Sequence, residues 1–427
     1  MVSSTFLAYC LTTTVLSLKV PTVYSTSFHR PTTQNLHVQL QPPRGGGDGD
    51  DTVSNPSNNN NNAHHHSSHT LELRHVQIIH RHGDRTPITP MSDIDFWKET
   101  LPPPTILEQI AQGTTMKRKN DDNSGSGHAA AGIGPFGKLT QLGLLQMVQV
   151  GSQLLEELSH SEEKEHETQD DDALRYLFTK TNPIHPSKIK VISTDFPRTI
   201  QSVQALLVGL FPDGLSQYDD IEIDGRYTSQ LIPDPQPRLS KEQIQLEFQV
   251  SQRPHLQQRE TELQNLAMKL TNDLSHFIND SVDAVVFGIG EEMEQNGRNG
   301  KPLAWIQLVE IMKCLKVRNL LPESITEEEY DIASSHVAWK WFESLKDERL
   351  AQLAMKPFMN FIIDELIQAQ KRGGERGSCD DGGGETESGG GNNEEEETVL
   401  TIYSCHDSSL IGLISAFRLE QPSKWPE

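Results

Sequence analysis

Residues 75–87 read HVQIIHRHGDRTP, an apolar run followed at once by charged and turn-forming residues. The first part, His75 to His80, is short and rich in Val and Ile, which is typical of a buried strand. The second part begins at Arg81 and places His82 directly before Gly83. Because ligands of open α/β sheets bind at the carboxyl ends of strands, we predict a functional site at this point.

The side chains around His82 suit the recognition of a phosphate group. Arg81 and Arg85 carry guanidiniums, the groups best suited to bidentate phosphate binding. Two cations beside an imidazole lower its pKa and leave one ring nitrogen able to attack. Gly83 permits a sharp turn that would expose the imidazole. A basic turn of no special purpose is the alternative, but seven ordered residues at the end of a strand favour a site.

A second predicted strand runs from Lys188 to Ser193 and leads into the start of a helix. Thr194 or Asp195 can cap this helix, and Pro197 suits its first turn. Arg198 then lies near the helix N-terminus, where the helix dipole disfavours a cation. An anion bound there would remove the penalty, so we predict that Arg198 binds phosphate, with an ordinary exposed arginine as the alternative.

A third predicted strand, Val399 to Ser404, ends in Cys405, His406 and Asp407. The His–Asp pair can supply one more phosphate donor and one proton donor, because a carboxylic acid can protonate a departing alkoxide. Cys405 could instead be a cysteine nucleophile. Since no partner base is evident in the sequence, we interpret it as a buried structural thiol.

Strands that alternate with helical stretches predict an α/β fold, a mainly parallel sheet flanked by helices in three layers. One helix is expected to begin near Thr140, and two others to cover about 259–277 and 335–370. A weaker fourth strand is expected at 284–287. The mostly helical region from about 210 to 345 predicts a smaller cap.

The N-terminal region, 1–70, differs in composition from the rest of the chain. Residues 1–25 have the order of a secretory signal peptide, although an organellar transit peptide is the alternative. Residues 26–70 predict a disordered linker. The catalytic domain would then cover 71–427, with disordered acidic insertions at 159–172 and 373–397. A secretory route predicts an extracellular, lysosomal or vacuolar location.

The 427 residues carry a formal net charge of −23, which argues against nucleic acid as the main partner. No stretch approaches the roughly 20 apolar residues of a transmembrane span, so none is predicted. Cys10 lies in the leader, and the three remaining cysteines form no disulfide framework or metal cluster. The sequon at Asn279 permits glycosylation on a secretory route.

Together the three strand ends resemble the histidine acid phosphatases, the acid-phosphatase branch of the histidine phosphatase superfamily. Residues 81–87 are similar to the signature of that family, and 403–407 to its distal motif. Residues 193–199 resemble the intervening motif, and 137–143 a recurrent family segment. The resemblance spans about 71–426 in the expected order.

This resemblance implies that His82 is the nucleophile and Asp407 the proton donor. It also implies a phosphate pocket formed by Arg81, Arg85, Arg198 and His406. The activity implied is hydrolysis of small phosphomonoesters, without metal or cofactor, through a phosphohistidine. The substrate could be a phospholipid, a sugar phosphate, a phosphoprotein or phytate. Only the segment 407–427 follows His406, and the family continues further, so we expect a C-terminally truncated chain.

Three alternatives follow from the same residues. A non-catalytic phosphoester-binding homologue would bind phosphate without turnover. A phytase or a lysophosphatidate-specific phosphatase would share the chemistry and differ in substrate, and the first motif favours the lysophosphatidate type. A phosphomutase of the same superfamily is disfavoured, because its signature lacks the continuation through Arg85 to Pro87 and the distal His–Asp pair.

Overall fold

A computed structural model describes residues 6–11, 15–21, 36–38, 73–118, 134–160, 178–179, 184–215, 218–234, 240–278, 301–375 and 398–419. Several predicted features lie outside the described residues. These are the sequon at Asn279, the weak strand at 284–287, most of the linker and of the two acidic insertions, and the chain beyond residue 419.

The described strands are β1 Phe6–Leu11, β2 Val15–Pro21, β3 Leu36–Val38, β4 Leu73–Arg81, β5 Thr114–Lys117, β6 Ser159–His160, β7 Phe178–Thr179, β8 Ile189–Ser193, β9 Ile221–Asp224 and β10 Leu400–Cys405. Eight of them form one sheet in the order β3-β1-β2-β4-β10-β8-β9-β5. Each neighbouring pair from β4 through β10, β8 and β9 to β5 is parallel. The prediction of an α/β fold with a mainly parallel sheet is therefore confirmed.

The three strands predicted with Val- and Ile-rich sequences are β4, β8 and β10, and all three lie side by side in the sheet. Strands β5 and β9 were not predicted. Both have only four residues and mix polar with apolar side chains, so neither has the signal of a buried strand. Strand β9 also lies inside the region predicted as helical cap, so the lower boundary of the cap, near residue 210, is wrong.

Three short strands lie in the N-terminal region, 1–70. Strand β2 pairs antiparallel with β4, β1 pairs with β2, and β3 pairs with β1. Residues 36–38, which were predicted to belong to a disordered linker, form β3. Residues 159–160, which were predicted to begin the first acidic insertion, form β6, and β6 pairs with β7. Cleavage after the predicted signal peptide stays a prediction.

The described α-helices are α1 Ile94–Glu99, α2 Pro104–Ala111, α3 Gln141–Leu158, α4 Pro197–Leu210, α5 Thr228–Leu231, α6 Lys241–Ser251, α7 Pro254–Glu262, α8 Gln264–Leu274, α9 Trp305–Lys316, α10 Glu327–Ser344, α11 Glu348–Glu375 and α12 Asp407–Ala416. Helix α3 begins where expected, because the Oγ1 of Thr140 accepts a hydrogen bond from the N–H of Gly143 at 3.1 Å. No described helix is long and apolar enough to cross a membrane.

Two predicted helices are divided in the structure. The stretch 259–277 contains the end of α7, all of α8 and a 3₁₀ turn, Ser275–Phe277. The stretch 335–370 is divided between α10 and α11 at Asp347, whose Oδ1 accepts from the N–H of Leu350 at 3.0 Å. Helix α11 continues to Glu375, so residues 373–375 of the second predicted insertion belong to this helix.

The sheet is covered by helices on both faces, as the three-layer prediction requires. Side chains in consecutive positions of the central strands alternate between the two hydrophobic clusters. One row, Ile78, Ile402 and Val191, packs in the cluster that includes α3 and α4. The next row, Ile79, Tyr403 and Ile192, packs in the cluster that includes α11 and α12. A third cluster joins α1, α8, α9 and α10 into a helical body of its own.

Candidate active site

The carboxyl ends of β4, β10 and β8 are neighbours at one edge of the sheet. The ladder continues past each strand end, because the N–H of His82 donates to the carbonyl of Cys405 at 3.2 Å. On the other side, the N–H of Thr194 donates to the carbonyl of Ser404 at 3.1 Å. This arrangement brings together all six side chains that the sequence singled out.

The imidazole of His82 is buried, with an exposed fraction of 4%. Its Nδ1 lies 2.8 Å from the carbonyl oxygen of Gly83. A carbonyl can only accept, so Nδ1 carries the proton and Nε2 keeps a lone pair. Burial lowers the pKa of His82 well below its usual value, and the charges of Arg81 and Arg198 lower it further. The ring is therefore neutral and its Nε2 is nucleophilic.

Gly83 is required by packing rather than by a turn. A Cβ atom on Gly83 would lie 2.3 Å from the carbonyl oxygen of Gly143 in α3, and one on Gly143 would lie 2.1 Å from the carbonyl oxygen of Asp84. The loop after His82 and the first turn of α3 therefore touch backbone to backbone. The sharp turn expected at Gly83 is not the reason for the glycine.

Three guanidiniums surround His82, and each has a donor atom that the protein does not satisfy. Within the described residues, the Nε atoms of Arg81, Arg85 and Arg198 are buried and make no hydrogen bond. Buried donors without partners are costly unless a ligand accepts from them. Three such donors close together suit a tetrahedral oxyanion, because its several oxygens can accept from all three.

Arg198 is the second residue of α4, as expected, but the predicted cap is wrong. The N-cap residue is Phe196, and neither Thr194 nor Asp195 caps the helix. The hydroxyl of Thr194 bonds instead to the Oγ1 of Thr199 at 2.9 Å. The guanidinium of Arg198 lies 4.5 Å from the ring centroid of Phe196. Burial and the charge of Arg85 lower the pKa of Arg198 to about 9, so an anion would stabilise its charged form.

His406 and Asp407 close the site from β10 and α12. The Nε2 of His406 lies 3.0 Å from the Oγ1 of Thr194, and its ring meets the ring of His82 edge-on at 5.5 Å between centroids. Burial lowers the pKa of His406 well below its usual value. Asp407 Oδ2 lies 3.6 Å from Arg81 Nε. Burial would raise the pKa of Asp407, but Arg81 and then Lys313 lower it overall.

The sequence did not reveal the residues that support the loop after His82. Asp84 accepts hydrogen bonds at Oδ2 from the hydroxyl of Thr140 and, at 2.6 Å, from the Nη2 of Arg318. Glu310 in α9 accepts from the Nη1 of Arg85 at 2.7 Å. These two carboxylate–arginine contacts join parts of the chain that are distant in sequence. No local pattern could have indicated them.

The cysteine beside the site is not reactive. Cys405 is fully buried, and burial raises the pKa of its thiol above the usual value. Cys314, the other described free thiol, is also buried, and burial raises its pKa to about 12. Both positions therefore disfavour a thiolate nucleophile.

Residues 72–427 match the histidine phosphatase superfamily (branch 2). Lysophosphatidic acid phosphatase type 6 of Bos taurus is 30% identical over 150 residues, which cover 33% of this chain and 32% of the relative. Counting factor 60 of Dictyostelium discoideum is 24% identical over 69% of this chain and 65% of the relative. Lysosomal acid phosphatase of Homo sapiens is 27% identical over 34% and 23%.

The chain thus spans less than two thirds of the length of each of these relatives. Among solved structures, the phytase from Citrobacter braakii aligns over 81% of this chain and 75% of that one, with 16% identity and a TM-score of 0.45. Hafnia alvei phytase in complex with myo-inositol hexakis sulphate aligns over 81% and 74%, with 15% identity and a TM-score of 0.41.

Proposed function

The chain belongs to branch 2 of the histidine phosphatase superfamily, and from this premise we propose that it hydrolyses phosphate monoesters at acidic pH through a phosphohistidine on His82. One observation carries the proposal. A neutral imidazole with its proton on Nδ1 lies among three guanidiniums whose Nε atoms have no acceptor among the described residues. A phosphoryl group bound by these donors would face the lone pair of Nε2.

In the first step, Nε2 of His82 attacks phosphorus and the bond to the ester oxygen breaks. Arg81, Arg85, Arg198 and His406 donate to the phosphoryl oxygens. The charge of the three guanidiniums stabilises the transition state, in which the equatorial oxygens share the negative charge. Asp407 gives its proton to the departing alkoxide, so the alcohol leaves neutral. His82 is then covalently phosphorylated.

Asp407 must hold a proton for this step, although Arg81 lowers its pKa before substrate binds. A phosphate dianion close to Asp407 acts in the opposite direction, because a like charge disfavours the carboxylate. We therefore expect substrate binding to raise the pKa of Asp407 and to be accompanied by uptake of a proton. This requirement explains why activity should be highest in acid.

In the second step, water attacks the phosphohistidine and the bond between Nε2 and phosphorus breaks. Asp407, now a carboxylate, accepts the proton of the water, and inorganic phosphate is formed. His82 and Asp407 return to their starting protonation states. The two steps together convert one ester and one water into one alcohol and one phosphate.

The first experiment measures phosphate release from p-nitrophenyl phosphate and from an alkyl phosphate, whose leaving group needs a proton, between pH 4 and pH 8 with EDTA present. The wild-type chain is compared with His82→Ala and with the control His185→Ala, because His185 is exposed at the opposite end of β8. We expect chelator-resistant activity in acid, lost by more than about a thousandfold in His82→Ala and unchanged in the control.

Three outcomes would contradict the proposal. Activity that survives in His82→Ala would exclude the phosphohistidine. Activity that EDTA abolishes would exclude the metal-independent scheme. A folded wild-type chain that binds phosphate without turnover would favour a non-catalytic phosphoester-binding protein instead.

We infer a small organic phosphomonoester as the substrate class and a secretory or lysosomal location. The similarity to a lysophosphatidic acid phosphatase makes lysophosphatidate the first compound to test, with phytate and a sugar phosphate as comparisons. The similarity to lysosomal acid phosphatases and the composition of residues 1–25 support the location. Fusion of residues 1–40 to a reporter tests it, and a cytosolic reporter would contradict it.

A further inference from the structure

Helix α9 lies across the loop that follows His82. Three side chains on one face of this region, spaced four residues apart, contact the loop. Glu310 binds Arg85, the thiol of Cys314 donates to the carbonyl of Arg85 at 3.4 Å, and Arg318 binds Asp84. The helix belongs to the cluster that joins the cap helices. The cap therefore supports the phosphate-binding loop directly.

Glu310 is the member of this face closest to the chemistry. Its side chain is 12% exposed, and both carboxylate oxygens are engaged by fixed donors. Oε2 accepts from the Nη1 of Arg85 at 2.7 Å and from the N–H of Ile88 at 3.1 Å. Oε1 accepts from the N–H of Thr89 at 2.8 Å. A single carboxylate thus fixes a guanidinium and the backbone that carries it.

The contact determines which side of Arg85 faces the phosphate. The Nη1 of Arg85 is held by Glu310 and by the carbonyl of Thr86, to which it donates at 3.0 Å. The guanidinium is a rigid plane, so holding one corner directs the others. The edge formed by Nε and Nη2 is left for a ligand, because neither atom makes a hydrogen bond to a described residue, and the Nε is fully buried.

Glu310 also compensates charge. Burial alone would lower the pKa of Arg85, but Glu310 raises it above the usual value. Glu310 acts in the same direction on Arg198. Asp407 is the other carboxylate that acts on both guanidiniums, but it has to become neutral for catalysis. Glu310 is thus the compensating charge that remains when Asp407 takes up a proton.

We propose that Glu310 is a positioning residue for the reaction, which directs the Nε of Arg85 toward the phosphoryl group and keeps a compensating charge beside it. The inference rests on the proposed function, because it assigns a role in that reaction. The alternative is a purely structural link between the cap and the loop.

The test compares Glu310→Gln with the wild type by measuring kcat and KM for an alkyl phosphate, whose leaving group needs the proton of Asp407, from pH 4 to pH 7, and the thermal unfolding midpoint. Glutamine keeps the size of the side chain and removes the charge. We expect kcat to fall by about ten- to a hundredfold, as a small displacement of a catalytic group does. We expect KM to change by less than about threefold, because the charge of Arg85 remains.

The pH profile distinguishes positioning from stability. Without the negative charge of Glu310, the charge of Arg85, which lowers the pKa of Asp407, is less compensated. The decline of kcat on the alkaline side should therefore move to lower pH. Glu310→Asp restores the charge with a shorter reach. It should return the alkaline limb toward the wild-type position while kcat stays reduced.

The matched control is Glu327→Gln, which removes an ion pair between the exposed Glu327 and Lys316 of α9. It should leave kcat and the pH profile unchanged. A wild-type kcat and pH profile in Glu310→Gln would overturn the inference and leave the proposed function intact. So would a lower kcat without any shift in the profile, because that is the result of a structural role. An inactive wild-type chain would instead contradict the proposed function itself.

Discussion

The three guanidiniums of the site differ in how much of their charge neighbouring carboxylates compensate. Arg81 lies 3.6 Å from Asp407, and Arg85 is bound to Glu310 at 2.7 Å. Arg198 instead lies over the ring of Phe196, and its pKa falls to about 9. An anion bound at the site would therefore stabilise the charge of Arg198 most.

Asp407→Asn should separate the role of the acid from the role of the nucleophile. Asparagine cannot give up a proton, so hydrolysis of an alkyl phosphate should slow by about 10² to 10⁴-fold. p-Nitrophenyl phosphate should lose much less activity, because p-nitrophenolate leaves without a proton. The measurement is kcat/KM on the two substrates, because this ratio covers only the steps up to formation of the phosphohistidine and excludes the later step in which Asp407 acts as the base.

The control for this change is Asp213→Asn, at an exposed aspartate in the loop after α4. It should leave both substrates at their wild-type rates. Equal losses on alkyl and p-nitrophenyl phosphate in Asp407→Asn would contradict the assignment of Asp407 as the acid.

At the residue scale, the sequence predicted those side chains that follow strands. His82, Arg198 and Asp407 each lie just beyond an apolar run, and adjacent parallel strands bring such positions together. Glu310 and Arg318 could not be found in the same way. Their partners, Arg85 and Asp84, are far away in the sequence. Strands β5 to β9 lie between the two parts of the chain.

At the scale of elements, helices α3 and α4 pack with their backbones in close contact. A Cβ on Gly151 would lie 2.0 Å from the carbonyl oxygen of Leu206, and a Cβ on Gly209 would lie 2.0 Å from that of Val148. Two glycines facing each other in this way bring the helix backbones into contact. This pair of helices also positions Arg198, which lies in the first turn of α4.

Gly209→Ala should destabilise the protein although alanine favours helices. The added methyl group has to displace backbone, which costs about 1 to 3 kcal/mol or more, against a gain of about 1 kcal/mol in helix propensity. We expect a net loss in the free energy of unfolding, measured by urea denaturation. Gln149→Ala, at an exposed position of α3, should change it by less than about 0.5 kcal/mol. A Gly209→Ala variant as stable as the wild type would show that the helices can separate freely.

The elements that were predicted correctly are those with strong local signals. Strands β4, β8 and β10 are short and contain clusters of Val, Ile and Leu residues. The division between α10 and α11 was missed because residues 345–349 are mostly good helix formers, and only the hydrogen bond from Leu350 N–H to Asp347 marks the new start. Local propensity does not reveal such a stop.

At the scale of the whole molecule, burial of histidines links stability to acidity. His80 is fully buried in β4, and burial lowers its pKa to about 4 from an unfolded value of 6.5. Above pH 6.5 the residue is neutral in both states. As the pH falls from 6.5 toward 4, the unfolded chain takes up the proton first, so the folded state loses stability across this window.

Between pH 6.5 and pH 4, the free energy of unfolding should fall by about 3 kcal/mol because of His80. Urea denaturation at pH 7 and pH 4.5 measures it, and His80→Leu should reduce the difference between the two values. His82 and His406 have lowered pKa values and contribute with the same sign. His185→Gln, at an exposed site, should leave the difference unchanged. An equal difference in wild type and His80→Leu would contradict this account.

The alternation of strands and helices determined the fold class, because a parallel sheet needs helical crossovers. The sequence did not determine how the cap meets the sheet. That contact depends on α9, whose apolar residues pack in the cap cluster while Glu310 turns toward Arg85. Helical periodicity identifies the buried face of a helix but not its partner.

The three Nε donors around His82, which make no hydrogen bond within the part of the chain that the structure describes, have a consequence for the proposed enzyme. They could donate hydrogen bonds to any tetrahedral oxyanion. Inorganic phosphate is such an ion, and each turnover produces it. The proposed enzyme should therefore be inhibited by its own product, in competition with the ester. Its rate would then respond to how much free phosphate the surroundings already contain, running fastest under phosphate starvation. This feedback would need no second binding site.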